Sequence, residues 1–259
     1  MPDTASPGAT KRFYEEAGLR AVEGGHTLVL DGRPARTPGK RPLTLPSRAL
    51  GEAVAAEWHA QGATVDPRTM PLTRLANSAI DGVAQEMEAV RDDLVRYAGS
   101  DLVMYRAGEP AGLVAEQSAA WDPVLDWARA ELGARFVLSE GVMFVAQSEE
   151  AIGHVREAVA RELSPFGIAA LHVMTTLTGS VLLSLMHAAG RIDAADAWSA
   201  AHVDELHQES RWGTDEEALR RREAREAEFR AASRLLALSR RDIPPSFRGA
   251  ADEPGTQTR

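Results

Sequence analysis

The residues best placed to do chemistry lie late in the chain, in His202-Val203-Asp204-Glu205-Leu206-His207. Two histidines around a glutamate suggest a zinc hydrolase. That motif sets its histidines four residues apart, so that both imidazoles reach one ion while the glutamate activates water. Here they are five apart, and on a helix they point to different faces. Metal ligation is therefore the weaker reading, and polar residues on a surface helix the stronger one. The more informative feature is charge. Asp204, Glu205 and Glu209, followed by Asp215, Glu216 and Glu217, flank the pair Trp212-Gly213. An acidic rim around a partly exposed aromatic suits a docking site for a basic or apolar partner surface.

Other candidates carry less. Ser180 lies in the apolar stretch LTGSVLL and reads as a core serine on a buried helix rather than a nucleophile. His172 and His187 read as core histidines bonded to their neighbours. Arg74, Asn77 and Asp81 form one polar face on an otherwise apolar helix and favour an internal hydrogen-bond network. Asp122 and Asp126 share a helix face but have no partner in register for a metal, so they read as structural. The chain has no phosphate-binding GxxxxGK[ST] loop, no GxGxxG after a strand and no GxSxG elbow. It has no cysteine, which excludes disulfides, thiol nucleophiles and thiolate metal sites. No cofactor and no metal are expected, and the residues favour a binding role over catalysis.

The elements that must position these residues begin with the stretch 166–189, the most apolar in the chain. Its length raises the question of a membrane span. His172, Thr175, Thr176, Thr178, Ser180, Ser184 and His187 interrupt it, and each would need a partner in hydrocarbon. A single buried central helix of a bundle is the better reading, closed by Gly190, with Asp193 capping the next helix. The formal net charge of -9 argues against a nucleic-acid partner. The first residues lack the apolar core of a secretory signal, and a cytoplasmic protein without membrane insertion is expected.

The sequence implies an α+β fold. Residues 19–22 and 27–30 read as strands, with Asp31-Gly32 as a hairpin turn. Residues 33–37 and 42–45 read as two more, giving a small antiparallel meander. Ser47 caps a helix over residues 48–61. Together these make an N-terminal α+β domain, 12–65, with Gly62 to Pro67 as a linker. A larger, mainly helical orthogonal-bundle domain, 66–240, follows. Within it, helices are expected over 71–82, 84–99 and 113–132, the last with Pro123 near its start. Residues 136–138 and 142–145 suggest a second hairpin, and 148–163 another helix. A terminal helix over 214–238 has Thr214 and Glu217 in capping-box positions. Residues 1–11 and 241–259 read as disordered tails.

Five segments, in order, resemble the family of assembly chaperones of the ATP synthase catalytic head found in mitochondria and alphaproteobacteria. They are MPLTRLANSAIDGV, RYAGSDLVMYRA, WDPVLDWARAELGARF, LTGSVLLSLMHAAG and DELHQ…RWGTDEEA. The resemblance runs over residues 12–238 and implies a non-enzymatic role. Such chaperones bind the unassembled alpha subunit and shield the surface it later offers to beta. It also implies that function rests on acidic residues late in the helical domain. With the cluster above, these give Asp204, Glu205, Gln208, Trp212, Gly213, Asp215 and Glu216 as partner-binding residues. The chain departs from the family pattern at Leu206 and His207, where an acidic residue and an aromatic are expected. The competing readings are a helical scaffold with another client and a metal-dependent hydrolase using His202, Glu205 and His207.

Overall fold

The computed structural model describes residues 10–141, 143–213 and 215–241. It confirms an α+β chain, and its contacts gather into two compact units. One comprises Met1–Gln85, Pro165–Ala169 and Arg234–Arg259, and the other Glu86–Ser164 and Ala170–Ser233.

In the first unit the strands are β1 (Thr10–Lys11), β2 (Ala17–Val22), β3 (Gly25–Leu30), β4 (Arg33–Pro34) and β5 (Thr44–Leu45). Helix α1 (Arg48–His59), β6 (Thr64–Val65) and α2 (Pro71–Ser78) follow. Strand β3 is the centre of the sheet. β2 pairs along its whole length, from Ala17 opposite Leu30 to Val22 opposite Gly25. On the other side β4 takes Val29 and Leu30, while β5 takes His26 and Thr27. The expected meander is therefore corrected: β5 returns to β3 instead of extending the sheet. The β3–β4 turn follows from the Asp-Gly pair. Asp31 and Gly32 have φ of 48° and 74°, the two left-handed residues that a type I′ hairpin requires.

Leu28, Leu30, Leu43 and Leu45 are buried, as are Leu50 and Val54 of α1. The Ser47 hydroxyl accepts from the Leu50 N–H at 3.0 Å and donates to the Leu238 carbonyl at 2.6 Å. The segment expected as a linker is instead built into this unit. β6 pairs with β1, and the Arg12 guanidinium donates to the Gln61 carbonyl at 2.6 Å. Helix α2 begins at Pro71, as expected for a residue without an N–H. Its next two N–H groups, of Leu72 and Thr73, donate to the Glu57 carboxylate, each at 2.8 Å. A π-helical turn over Ala79–Val83 carries Asp81. Its carboxylate accepts from the Thr37 hydroxyl at 2.7 Å, the Gly39 N–H at 2.7 Å and Arg41 at 3.2 Å. Asp81 is thus a hydrogen-bonded clamp on the 36–42 turn, whereas the buried Asn77 Oδ1 on the same polar face has no hydrogen-bond partner among the described residues.

The second unit holds α3 (Met87–Tyr97), β7 (Tyr105–Arg106), α4 (Ala111–Trp127), β8 (Ser139–Glu140) and α5 (Glu149–Ala160). Helices α6 (Pro165–Thr178), α7 (Val181–Ala188), α8 (Ala194–Ala201), α9 (Val203–Trp212) and α10 (Glu216–Ser239) follow, with α6 before Ala170 and α10 from Arg234 counted in the first unit. The apolar stretch is two helices and not one. Gly179, with φ of 71°, breaks it, and Ser180 caps α7 by accepting from the Leu183 N–H at 3.0 Å. Asp101 is fully buried, and its carboxylate accepts from the Leu182 N–H at 3.1 Å, so it supports the same helix start. Gly190 and Asp193 stand where expected: Gly190 has φ of 69°, and the Asp193 carboxylate accepts from the Asp196 N–H at 2.8 Å. No helix among the described residues is long and apolar enough to cross a membrane.

Two local expectations fail. Pro123 lies inside α4, not near its start. Residues 136–145 form no hairpin among the described residues. β8 runs parallel to β7, and the Gln147 side chain bridges the Val137 backbone, accepting at 2.8 Å and donating at 2.9 Å. A glutamine amide thus occupies the partner positions that a second strand would have filled. Val142, part of that expected hairpin, lies outside the described residues.

Candidate functional site

The site is assembled from one helix pair of the second unit. Helix α9 has a buried face carrying Val203 and His207 and an outer face carrying Glu205, Gln208 and Trp212. The spacing from Glu205 to Gln208 and then Trp212 is that of one helical stripe. Gly213, with φ of 83°, ends α9 and lets the chain turn into α10. The Asp215 carboxylate then accepts from the Glu217 N–H at 2.8 Å. It does the N-capping expected of Thr214, which lies outside the described residues. Glu217, expected to complete a capping box, pairs with Arg221 at 2.8 Å instead.

Between the two helices lies a groove of about 460 Å³. Glu205, Gln208, Glu209, Trp212 and Gly213 form one side, and Asp215, Ala218, Arg221, Arg222 and Arg225 the other. Trp212 is 87% exposed. That is abnormal for tryptophan, which is highly buried on average and is enriched at protein interfaces. Within the groove Glu209 and Arg222 form a short, largely shielded ion pair. The hydrogen bond to Glu209 raises the Arg222 pKa against burial, and Glu205 and Glu226 add to the effect. Arg225 donates to the Leu177 carbonyl at 2.7 Å, which fixes the α10 side.

The sequence-derived residues do not all fall here. Glu205, Gln208, Trp212, Gly213 and Asp215 line the groove; Asp204 and Glu216 do not. Asp204 turns inward, accepting from the buried Gln117 amide at 2.7 Å, while the Gln117 carbonyl accepts from the Ala107 N–H at 2.8 Å. Glu216 sits at 3.8 Å from Arg220, on a different face of α10. Conversely, Arg221, Arg222 and Arg225 were missed as groove residues. In the sequence they belong to a dense run of charge pairs that reads as a solvated helix face. The groove is consequently not an acidic rim alone: an acidic wall from α9 faces an arginine wall from α10.

The two histidines do not act as a pair. His202 is buried, stacks on Trp198 at 3.9 Å between ring centroids, and places Nδ1 2.8 Å from the Trp198 carbonyl. Burial lowers its pKa, against the Trp198 carbonyl and Glu205, which raise it. His207 is buried against α4, with Nδ1 2.9 Å from the Glu116 carboxylate. No group of three or more His, Asp or Glu side chains among the described residues could hold a metal ion. His172, 2.8 Å from Asp93, and His187, bonded to the Ile192 carbonyl and the Ser233 hydroxyl, have the partners expected of them but are half-buried and not core residues.

The family model described as ATP12 chaperone protein matches residues 11–129. The mitochondrial protein atp12 of Schizosaccharomyces pombe is 24% identical over 221 residues, covering 80% of this chain and 75% of that one. The crystal structure of Atp12 from Paracoccus denitrificans is 45% identical, with a TM-score of 0.84, covering 89% of this chain and 98% of that one. The Atu1473 protein from Agrobacterium tumefaciens is 48% identical, with a TM-score of 0.86, covering 89% and 86%.

Proposed function

The chain belongs to the ATP12 chaperone family, one of chaperones and not of enzymes, and from that premise we propose that it assembles the ATP synthase catalytic head by binding the unassembled alpha subunit. It covers the alpha surface that later meets beta, and it releases alpha when beta arrives. It does so in the bacterial cytoplasm. An unassembled subunit exposes apolar interface that aggregates unless covered. A chaperone for it needs an apolar anchor, a polar surround and an affinity short of the tightest complexes.

The observation that carries this reading is Trp212, 87% exposed at the mouth of a groove whose two walls carry opposite charge. Tryptophan is enriched among binding hot spots, and a partner seated on this groove would bury Trp212. Glu205 and Arg221 stand where they can select a partner by charge complementarity and speed encounter. In this reading Asp204 positions α9, and the groove residues touch the client.

Affinity purification of the tagged chain from its own cells tests it. Alpha subunit enriched without beta is the expected result, with Glu205→Lys reducing the yield and leaving thermal unfolding unchanged. Recovery of intact synthase, or of neither subunit, would overturn the assignment and favour a scaffold with another client.

A further inference from the structure

A second surface, on the first unit, is also open. β2 pairs with β3 on one side, and no strand among the described residues pairs with its other side. The backbone groups turned away from β3 therefore point outward with no strand partner among the described residues. Proteins usually blunt such an edge with a proline, a bulge or a charge. β2 reads AGLRAV, has no proline, and keeps an unbroken register with β3. Its one charge, Arg20, turns back and donates to the Gly32 carbonyl at 2.6 Å.

Beside this edge runs a groove of about 770 Å³ between β2 and α1. Ala17, Gly18 and Ala21 line it from the strand, Ala55 and Ala56 from the helix and Ala60 from just past its end, and His26, Arg48, Glu52 and His59 give it polar walls. The alanines and Gly18 leave an apolar, unfilled strip beside the strand, and the Arg48–Glu52 ion pair, at 2.7 Å, stands at its wall. The ends of the strand are acidic: exposed Glu15 and Glu16 precede it, and exposed Glu23 follows.

We propose that this edge and groove take an extended segment of a partner polypeptide, added as a further strand on β2. Alternate side chains of that segment, small or β-branched and apolar, enter the groove, and lysines or arginines at its ends meet Glu15, Glu16 and Glu23. This is strand addition, in which main-chain hydrogen bonds give affinity and alternate pockets give specificity. A second copy of this chain is the poorer occupant. Antiparallel pairing of two β2 strands about their shared centre sets Glu16 of one opposite Glu23 of the other, and like charges directly opposite are unfavourable. The proposal concerns a different unit from the Trp212 groove and does not rest on the alpha-subunit reading.

The test uses the full chain and a peptide of alternating valine and threonine with two lysines at each end. Saturable binding is expected, with amide exchange slowed within residues 17–22. Ala56→Arg, at an exposed position on the helix wall, should weaken binding at least tenfold without changing thermal unfolding, and Ala60→Arg should act in the same direction. A peptide with glutamates in place of the lysines should bind at least tenfold more weakly, and Trp212→Ala should leave peptide binding unaltered. No binding up to about 1 mM, protection confined to other residues, equal binding of the two peptides, or a dimer that Ala56→Arg dissociates would each overturn the proposal.

Discussion

Asp101, at the break between α6 and α7, and Glu205, on the outer face of α9, belong to the same unit and carry the same chemical group. Asp101 is fully buried. Its oxygens accept from the Val103 and Leu182 N–H groups at 3.3 and 3.1 Å. Burial pushes its pKa up to about 6, against hydrogen bonds from Ser180, Leu182, Val103 and Val181. Glu205 is exposed, lines the groove beside Trp212, and takes no hydrogen bond from the described residues. A carboxylate whose acceptor capacity is filled from within holds the chain in shape. One left facing a concave surface is available to another molecule. By the same criterion Asp204, bonded to Gln117, belongs with Asp101 and not with its neighbour Glu205.

Breaking the buried member should give the largest effect. Asp101→Ala removes the acceptor for the first turn of α7 and leaves buried N–H groups unpaired, at a cost of about 3 kcal/mol in urea unfolding. A loss below about 0.5 kcal/mol would put Asp101 among ordinary surface positions. The same residue predicts a pH dependence. Its folded pKa lies above the unfolded value of 3.8, so between about 4 and 6 the folded state holds a proton that the unfolded state has released. Its contribution to stability is therefore greatest below that window and falls as pH rises through it. Asp31 acts in the opposite sense, because N–H groups of Glu16 and Glu15 lower its pKa. For Asp81, burial pushes upward but Thr37, Gly39 and Arg41 together hold the pKa low. Contributions of this second kind are lost as pH falls. Comparing Asp101→Asn with the natural chain across pH 4–7 isolates the first: the variant should gain stability relative to the natural chain as pH rises. A constant difference would remove Asp101 from the titration.

On the exposed side, Trp212→Ala should reduce alpha-subunit binding by about 2 kcal/mol, some thirtyfold, while unfolding changes by no more than about 0.5 kcal/mol. Equal losses of binding and stability would make Trp212 a packing residue. The smallest effect is expected at the helix break. Gly179→Ala should cost about 1 kcal/mol of stability from its left-handed backbone alone. The added methyl would meet only Leu102, at an ordinary 3.8 Å.

Much of this architecture was legible in the residues. Asp31-Gly32 announced its hairpin, Ser47 its helix, and Gly190 with Asp193 the passage from α7 to α8. Such signals are local: a backbone conformation or a cap bond involves only a few neighbouring residues. The break at Gly179 was not read, because periodicity in an apolar stretch does not separate one buried helix from two. Asp101, which accepts from the Leu182 N–H at the start of α7, lies far away in sequence. Pairing between β7 and β8 is likewise long-range, and the Gln147 bridge is a side-chain contact that no strand pattern marks. At the candidate site, Trp212 and the α9 acids were visible as composition. Which acids face outward was not, since Asp204 is set apart from Glu205 only by Gln117 on α4. The arginine wall was hidden because i,i+4 charge pairs look the same on a solvated helix and on one side of a groove.

The most direct test of the alpha-subunit proposal is photo-cross-linking from position 212 in living cells, with a photoreactive phenylalanine analogue in place of Trp212. One dominant adduct is expected, with the ATP synthase alpha subunit, and it should fade when beta is supplied in excess. An adduct with a different protein, or an alpha adduct that persists however much beta is present, would contradict the proposal.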